Sequence, residues 1–281
     1  MAQGSGTPRW IPESMRGLAL NMGRVPTPEE ALRIFATPTR AAMARKETEV
    51  AGRGDRFEFV SDATTLTGWR WGAGPRILLM HGWNGRALNL SSFVDPLVDA
   101  GFDVVAFDAH AHGESGGDYC YAPRFARAVL DLERLTGPFE GVVAHSFGTC
   151  AATVAQKEGW GVSRAVYLST MCFIKERFFE FGAALGLDEG GQQAMWEFGD
   201  QVLGPGYIES CHGDVAARAF SSQGLVFHDE GDQEIGIMQS EAIVESWGRS
   251  ELVRTTGLGH FRLIRSPQVV SRAVGFFKEG K

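Results

Sequence analysis

Residues 141–148 of the chain read Gly-Val-Val-Ala-His-Ser-Phe-Gly. The apolar run at the start of this stretch is typical of a buried strand, and the small residues after it predict a helix. Ser146 then lies at the apex of a sharp turn between strand and helix. A serine hydroxyl is a poor nucleophile unless the backbone presents it to a base, so the stretch predicts a nucleophilic serine. The pattern is a relaxed G-x-S-x-G in which Ala144 replaces the first glycine.

Similar apolar runs recur along the chain and indicate a parallel sheet. They predict strands buried on both faces at residues 76–80, 103–107, 141–144 and 165–168, and the strand pattern returns at 225–228 and 251–255. Residues 57–60 and 65–71 alternate instead, as a half-buried antiparallel pair does. Helical periodicity lies between these runs, at residues 90–98, 125–132 and 266–277, and Pro96 implies a kink or a late start in the first. The expected fold class is α/β, a doubly wound, mostly parallel sheet.

Two regions depart from this alternation of strands and helices. Residues 1–50 form an N-terminal leader that we expect to pack on the core, with a short helix over 28–35 that begins with proline. Residues 51–281 form the main domain. Within it, residues 171–214 mix aromatic residues, glycines and acids without strand runs, and we expect a mainly helical lid insertion. Its apolar residues either form a small core against the sheet or line a substrate pocket.

Composition excludes several classes of function. The chain has 281 residues, 44% of them hydrophobic, and a formal net charge of −7 without any run of Lys or Arg, so we expect no nucleic-acid partner. Its four cysteines show no CxxC spacing, which favours reduced thiols in a cytoplasmic protein. No stretch approaches the roughly 20 apolar residues that a membrane span needs, so no membrane partner is expected. The oligomeric state stays open.

A nucleophilic serine needs a histidine as general base and an acid that orients this histidine. Of seven histidines, only His260 lies late in the chain, after a strand and in the glycine-bounded turn 257–260. Two aspartates, Asp229 and Asp232, follow the apolar strand that ends near His228, where a carboxylate projects from the carboxyl end of the sheet. The chain order is therefore serine, acid, histidine.

This order and setting resemble the α/β-hydrolase fold family, in its serine hydrolase branch, over about residues 55–280. Two further motifs carry the resemblance: His81-Gly82-Trp83 after one strand, and residues 108–115, Asp-Ala-His-Ala-His-Gly-Glu-Ser, after the next. The resemblance implies that residues 108–115 form a structural turn rather than a metal site. It implies no cofactor and no metal.

The resemblance also assigns roles within the site. It favours Asp232 over Asp229 as the acid of a Ser146, Asp232, His260 triad, and Asp229 is then expected to cap the turn. It implies that the backbone N–H groups of Trp83 and Phe147 form the oxyanion hole. The Trp83 side chain either faces the pocket or packs under the insertion.

The expected activity is that of a carboxylesterase-like serine hydrolase, which cleaves an ester, thioester or related acyl bond of a small-molecule substrate through an acyl-serine intermediate. The same triad serves carbon–carbon bond hydrolysis and acyl transfer, and these alternatives stay open. A ligand-binding protein with little turnover is the alternative from another class, since fold does not fix function.

Overall fold

One mixed sheet organises the protein. The computed structural model describes residues 23–40 and 42–279 of the chain. Within these residues eight strands form a sheet of order β1-β2-β4-β3-β5-β6-β7-β8. The strands are β1 (Asp55–Ser61), β2 (Thr64–Gly72), β3 (Arg76–Met80), β4 (Asp103–Phe107), β5 (Gly141–His145), β6 (Arg164–Leu168), β7 (Gln223–Asp229) and β8 (Ser250–Thr255).

The strands pair as their sequence patterns predict. The alternating strands β1 and β2 are antiparallel and register Phe59 against Leu66, and β2 also pairs antiparallel with β4. The other neighbours, from β4 and β3 through to β8, are parallel. Strands β4 and β5 are buried along their whole length, which explains their continuous apolar runs. The mostly parallel sheet is confirmed.

Helices cover both faces of this sheet and also form the leader and the insertion. They are α1 (Pro28–Phe35), α2 (Arg45–Ala51), α3 (Val94–Asp99), α4 (Ala122–Thr136), α5 (Phe147–Lys157), α6 (Lys175–Ala184), α7 (Glu189–Leu203), α8 (Tyr207–Ser210), α9 (Gly213–Ala216), α10 (Met238–Ser246), α11 (Gly259–Arg262) and α12 (Pro267–Lys278). Three 3₁₀ segments, Ala87–Phe93, Ala217–Ala219 and Leu263–Arg265, complete the described elements.

Pro96 has the effect predicted for it. The segment before it is the 3₁₀ turn Ala87–Phe93, in which Leu90 leaves helical geometry, and the α-helix begins only at Val94. Pro96 then lies in the first turn of α3, where its missing N–H leaves no intrahelical hydrogen bond unmade. The late start of this helix is confirmed.

Two apolar layers hold the sheet in place. Against one face, α4 and α5 bury side chains such as Phe125 and Val129. Against the other face, α3 and α12 bury Leu97 and Phe277. Because each buried CH₂ contributes roughly 0.8 kcal/mol, these layers fix the strand ends that carry the site. The doubly wound arrangement is confirmed.

The insertion and the leader pack on each other. We call helices α6–α9 the cap; α6–α8 fall within residues 171–214, and α9 extends two residues past that range, to Ala216. Its apolar side chains form a third cluster that includes Ala31 of α1. Residues 1–22 of the expected leader lie outside the described residues. The described part places α1 on the cap and the segment after α1 on the core loops, since the N–H of Cys120 donates to the carbonyl of Ala36 (2.8 Å).

No helix among the described residues has both the length and the apolar character that a membrane crossing requires.

Candidate active site

The turn at Ser146 has an uncommon backbone geometry. Strand β5 ends at His145 and α5 begins at Phe147, so Ser146 alone makes the turn, with φ 53° and ψ −121°. Such a geometry costs a non-glycine residue about 1–3 kcal/mol and persists only where the surroundings hold it. The Ser146 N–H donates to Leu168 O (2.9 Å), and Thr149 donates to Ser146 O through both its N–H (2.8 Å) and its hydroxyl (2.6 Å).

Ala144 and Gly148 flank this turn in different ways. Ala144 does not have a positive φ, and it pairs with Met80 and Tyr167 as an ordinary strand residue. The positive φ falls on Ser146 itself, so alanine at 144 meets no conformational penalty. Gly148 provides the close approach, because a Cβ there would lie 2.6 Å from the carbonyl oxygen of Met80.

His260 and Asp232 form a hydrogen-bonded pair beside the turn. His260 Nδ1 lies 2.8 Å from Asp232 Oδ2, and the Asp232 side chain is fully buried. The two glycines that precede His260, Gly257 and Gly259, both have positive φ, which explains why the turn contains glycine. Ser146 and His260 line the same cavity, and no hydrogen bond of the described residues joins their side chains. Catalytic hydrogen bonds often close only when substrate is bound.

The Asp232 carboxylate is held in its ionised form. Burial raises its pKa, but the hydrogen bond and the charge of His260 outweigh burial and lower the pKa to about 2. The second oxygen, Oδ1, accepts the N–H groups of Glu234 (2.8 Å) and Ile235 (3.0 Å). An ionised acid at this place favours the His260 tautomer with the proton on Nδ1 and leaves Nε2 as a hydrogen-bond acceptor.

Asp229 lies in the same loop but serves a different purpose. Its Oδ2 accepts the Thr255 hydroxyl and the Leu258 N–H, both at 2.9 Å, and its Oδ1 accepts the N–H of Gly231 at 3.0 Å. These bonds connect the end of β7 to the loop that leads to His260. The expectation that Asp229 caps the turn is confirmed, and the structure does not bring it to His260.

The loop after β3 lies directly against Ser146. A Cβ at Gly82 would be 3.1 Å from the Cβ of Ser146, so this glycine permits the contact. Phe147 is the first residue of α5, and the first N–H groups of a helix have no intrahelical acceptor. Among the described turn and loop hydrogen bonds, none uses the N–H of Trp83 or Phe147. Their rings meet edge to face at 5.1 Å, and Trp83 faces the cavity.

His81 and Asp108 connect the two loops behind the site. His81 Nε2 accepts the N–H of Ala109 (3.0 Å), and its Nδ1 lies 2.8 Å from the carbonyl of Gly82. Burial lowers the His81 pKa, which keeps the ring neutral for both contacts. Asp108 accepts the N–H groups of Ala87 and Glu114, both at 2.7 Å. Residues 108–115 therefore form a hydrogen-bonded turn.

The histidines of that turn bond to backbone carbonyls. His110 Nε2 lies 3.2 Å from Ser61 O, and His112 Nδ1 lies 2.9 Å from His110 O. Across residues 23–40 and 42–279, no three His, Cys, Asp or Glu side chains are grouped so that they could hold a metal ion.

Two further histidines lie beside the pair of His260 and Asp232. His145 Nε2 lies 3.1 Å from the backbone carbonyl of His260, and burial together with the charge of His260 lowers the His145 pKa to about 3. The neutral ring thus donates to the carbonyl. His228 lies 3.7 Å from Asp232 Oδ2, and its Nε2 is 2.9 Å from Ile235 O. The i, i+4 spacing of His228 and Asp232 is the only local signal of their proximity.

A cavity of about 690 Å³ opens over Ser146. This volume is within the range of small-molecule sites, about 300–1,000 Å³. The core contributes Trp83, Phe147 and His260 among other residues, and the cap and the leader supply the rest of the wall. Cap side chains therefore line the cavity, as the pocket alternative has it, and they also form a small core with α1 rather than against the sheet.

Comparisons with known proteins agree with this architecture. Residues 74–194 match the family model described as serine aminopeptidase, S33. The esterase Pf2001 of Pyrococcus furiosus superposes with a TM-score of 0.65 at 18% identity, over 87% of this chain and 97% of that one. A meta-cleavage product hydrolase of Pseudomonas fluorescens gives 0.60 at 16% identity, over 80% and 98%. The esterase Est1E of Butyrivibrio proteoclasticus gives 0.62 at 14%, over 80% and 97%.

A curated relative matches only in part. The uncharacterised protein YnbC of Escherichia coli is 34% identical over 85 residues, which is 28% of this chain and 14% of that protein. The chain thus spans about 14% of the length of this relative. The sheet order, the strand-turn-helix at Ser146 and the superposition on the solved structures show that the chain has the α/β-hydrolase fold.

Proposed function

We propose that the protein is a serine hydrolase that cleaves an ester, thioester or related acyl bond through an acyl-Ser146 intermediate. The observation that carries the proposal is the 2.8 Å contact between His260 and the ionised Asp232, on the cavity that also exposes Ser146 at a strained turn. Nucleophile, base and orienting acid are the three parts that this chemistry needs.

The steps follow from these positions. His260 Nε2 takes the proton of the Ser146 hydroxyl while Oγ attacks the acyl carbon, and the carbonyl oxygen becomes an oxyanion. The N–H groups of Trp83 and Phe147 hold that oxyanion. His260 then passes the proton to the leaving group, which departs and leaves the acyl group on Ser146. Water, activated by His260, cleaves the acyl-enzyme in the same way and restores the serine.

A fluorophosphonate probe tests the nucleophile and its base. We expect covalent labelling of the intact protein and loss of labelling in Ser146→Ala and His260→Ala. The matched control is Ser169→Ala, since Ser169 is a buried serine that also has a positive φ, 50°, and follows the neighbouring strand β6. Labelling should persist in this control. An intact protein that takes no label would support a ligand-binding role and refute the enzyme.

The two aspartates test the choice of acid. Asp232→Ala should lower kcat by about 10³–10⁴-fold, as loss of the orienting acid does in other triads. Asp229→Ala should lower kcat less than about tenfold, because it removes bonds worth about 1 kcal/mol each that fix the loop and not the base. The reverse order of effects would reassign the acid.

The bond class is tested with a substrate panel. p-Nitrophenyl esters of graded chain length cover the ester class, and aminoacyl p-nitroanilides cover the peptidase activity named in the matched family description. We expect turnover of the esters, because the cavity wall is largely aliphatic and aromatic.

A further inference from the structure

The leader helix α1 forms part of the wall of the cavity that contains Ser146. Leu32 and Phe35 on α1 line this cavity together with Phe198 and Val202 of the cap. The wall therefore combines segments more than a hundred residues apart in the sequence, and the leader contributes side chains as well as packing.

Close apolar contacts hold this wall against the cap. The ring of Phe35 lies 4.7 Å from that of Phe178 and 5.1 Å from that of Phe181, measured between centroids. A Cβ placed on Gly199 of α7 would lie 3.7 Å from Leu32 Cδ1, so α1 and α7 approach each other to about van der Waals distance. Aromatic pairs in such geometries contribute beyond their buried area.

The segment after α1 connects the wall to the loops of the core. The N–H of Thr39 donates to Asn84 Oδ1 at 2.7 Å, and Asn84 directly follows Trp83. The guanidinium of Arg40 donates to the carbonyls of Gly113 (2.9 Å), Ser115 (2.6 Å) and Gly117 (3.0 Å). The C-terminal end of α1 is thus fixed to the core loops, so its side chains can define a length for the occupant.

Two ion pairs lie near this wall. Glu29 and Arg33 form an exposed ion pair (3.4 Å) on α1. Arg177 donates to Glu180 (2.8 Å) and to the carbonyl of Glu234 (3.0 Å). The side chains that α1 and α7 bring to the wall, such as Leu32, Phe35 and Val202, are aliphatic or aromatic, and they favour an apolar chain as the occupant.

We propose that α1 forms one wall of an acyl-binding subsite, and that Leu32 sets the length of the apolar acyl chain that the site accepts. The inference rests on the proposed function, since the subsite serves the acyl group that Ser146 would receive. Leu32 does not touch the reacting atoms, so its effect is on chain-length specificity and not on chemistry.

Two variants of Leu32 change the length of the subsite in opposite directions, one by filling it and one by enlarging it. Ile34→Ala is the matched control, because Ile34 packs on the same apolar cluster but does not line the cavity. Leu32→Trp should lower kcat/KM for p-nitrophenyl decanoate relative to butyrate by about tenfold or more, since one methylene misfit in an apolar pocket has this effect. Leu32→Ala should shift the ratio the other way, and Ile34→Ala should leave it unchanged.

Direct binding separates this inference from the proposed function. Titration calorimetry with the uncharged ketones 2-decanone and 2-pentanone measures the subsite whether or not Ser146 turns over. We expect Leu32→Trp to weaken 2-decanone binding by about tenfold relative to the parent and to spare 2-pentanone. Normal labelling of Ser146 with unchanged ratios in both Leu32 variants would overturn the inference alone. If the intact protein takes no label but Leu32→Trp selectively loses 2-decanone binding, the proposed enzyme activity is refuted and the apolar subsite stands.

Discussion

Gly148 allows the helix after Ser146 to approach strand β3, and replacement by alanine should disturb both stability and activity. A Cβ at this position would lie 2.6 Å from Met80 O, 2.7 Å from His81 O and 3.0 Å from Met80 C. Ordinary Cβ contacts begin at 3.4 Å, so α5 would have to retreat from β3 by about 0.8 Å, the difference between 3.4 and 2.6 Å. All three atoms are backbone, and no side chain can turn aside to relieve the clash.

The magnitudes follow from this displacement. Overpacking costs about 1–3 kcal/mol, and the better helix propensity of alanine returns at most about 1 kcal/mol. We therefore expect Gly148→Ala to lower the free energy of unfolding by about 1–2 kcal/mol. A misplacement near 1 Å can cost about 10²-fold in rate, so kcat for an ester substrate should fall by roughly that factor.

Gly275→Ala is the matched control for this variant. Gly275 lies within α12 and has no positive φ, and a Cβ added there would meet no atom within 4 Å. Alanine there should raise the free energy of unfolding by about 0.5–1 kcal/mol. Urea denaturation and kcat, measured for both variants, provide the comparison. Equal stabilisation in the two variants, with kcat within about twofold of the parent, would refute the close-approach argument.

Three further predictions concern buried charges and the site. The folded pKa of Asp232 is about 2, below its ordinary 3.8, so the ionised carboxylate stabilises the fold above about pH 4 and this effect is lost as the pH falls. Between pH 5 and pH 3 the parent should lose about 1 kcal/mol more than Asp232→Asn in urea titrations, and equal losses would contradict the stabilised carboxylate. Asp103 is buried against two arginines, so Asp103→Ala leaves Arg76 without its carboxylate and should lower the free energy of unfolding by about 3 kcal/mol in the same titration. A loss below about 1 kcal/mol would show that the fold does not depend on these ion pairs. His145→Phe removes the donor to the His260 carbonyl, and kcat should therefore fall about two- to tenfold with KM unchanged. An unaltered kcat would show that this hydrogen bond does not help to hold the His260 loop.

The elements that sequence analysis predicts correctly have local signals. The run Gly141–Ala144 identifies β5 because a strand buried on both faces must be continuously apolar. The turn at His260 contains two glycines with positive φ, a requirement that can be read from a few neighbouring residues. Asp229 and Asp232 are three residues apart, and their neighbourhood indicates a loop rather than which carboxylate reaches His260.

The cavity has no comparable signal. Its wall combines Leu32 of the leader, Trp83 of the core and Val202 of the cap, and nothing in any one segment indicates the other two. The amphipathic pattern of α1 predicts a helix with one buried face but does not say which surface buries it. The contact of His145 with His260 is hidden for the same reason, since 115 residues separate them.

The supports of Ser146 and of the cavity wall differ in kind. Ser146 is held by three backbone-directed hydrogen bonds of 2.6–2.9 Å and by the approach of Gly148 to β3, all within the buried core. The leader wall is held by apolar contacts with the cap and by Arg40, an exposed side chain. Side-chain contacts tolerate volume changes that a strained backbone does not. Substitutions in α1 should therefore alter which acyl chain fits while the geometry at Ser146 stays intact, and the Leu32 and Gly148 variants separate these two effects.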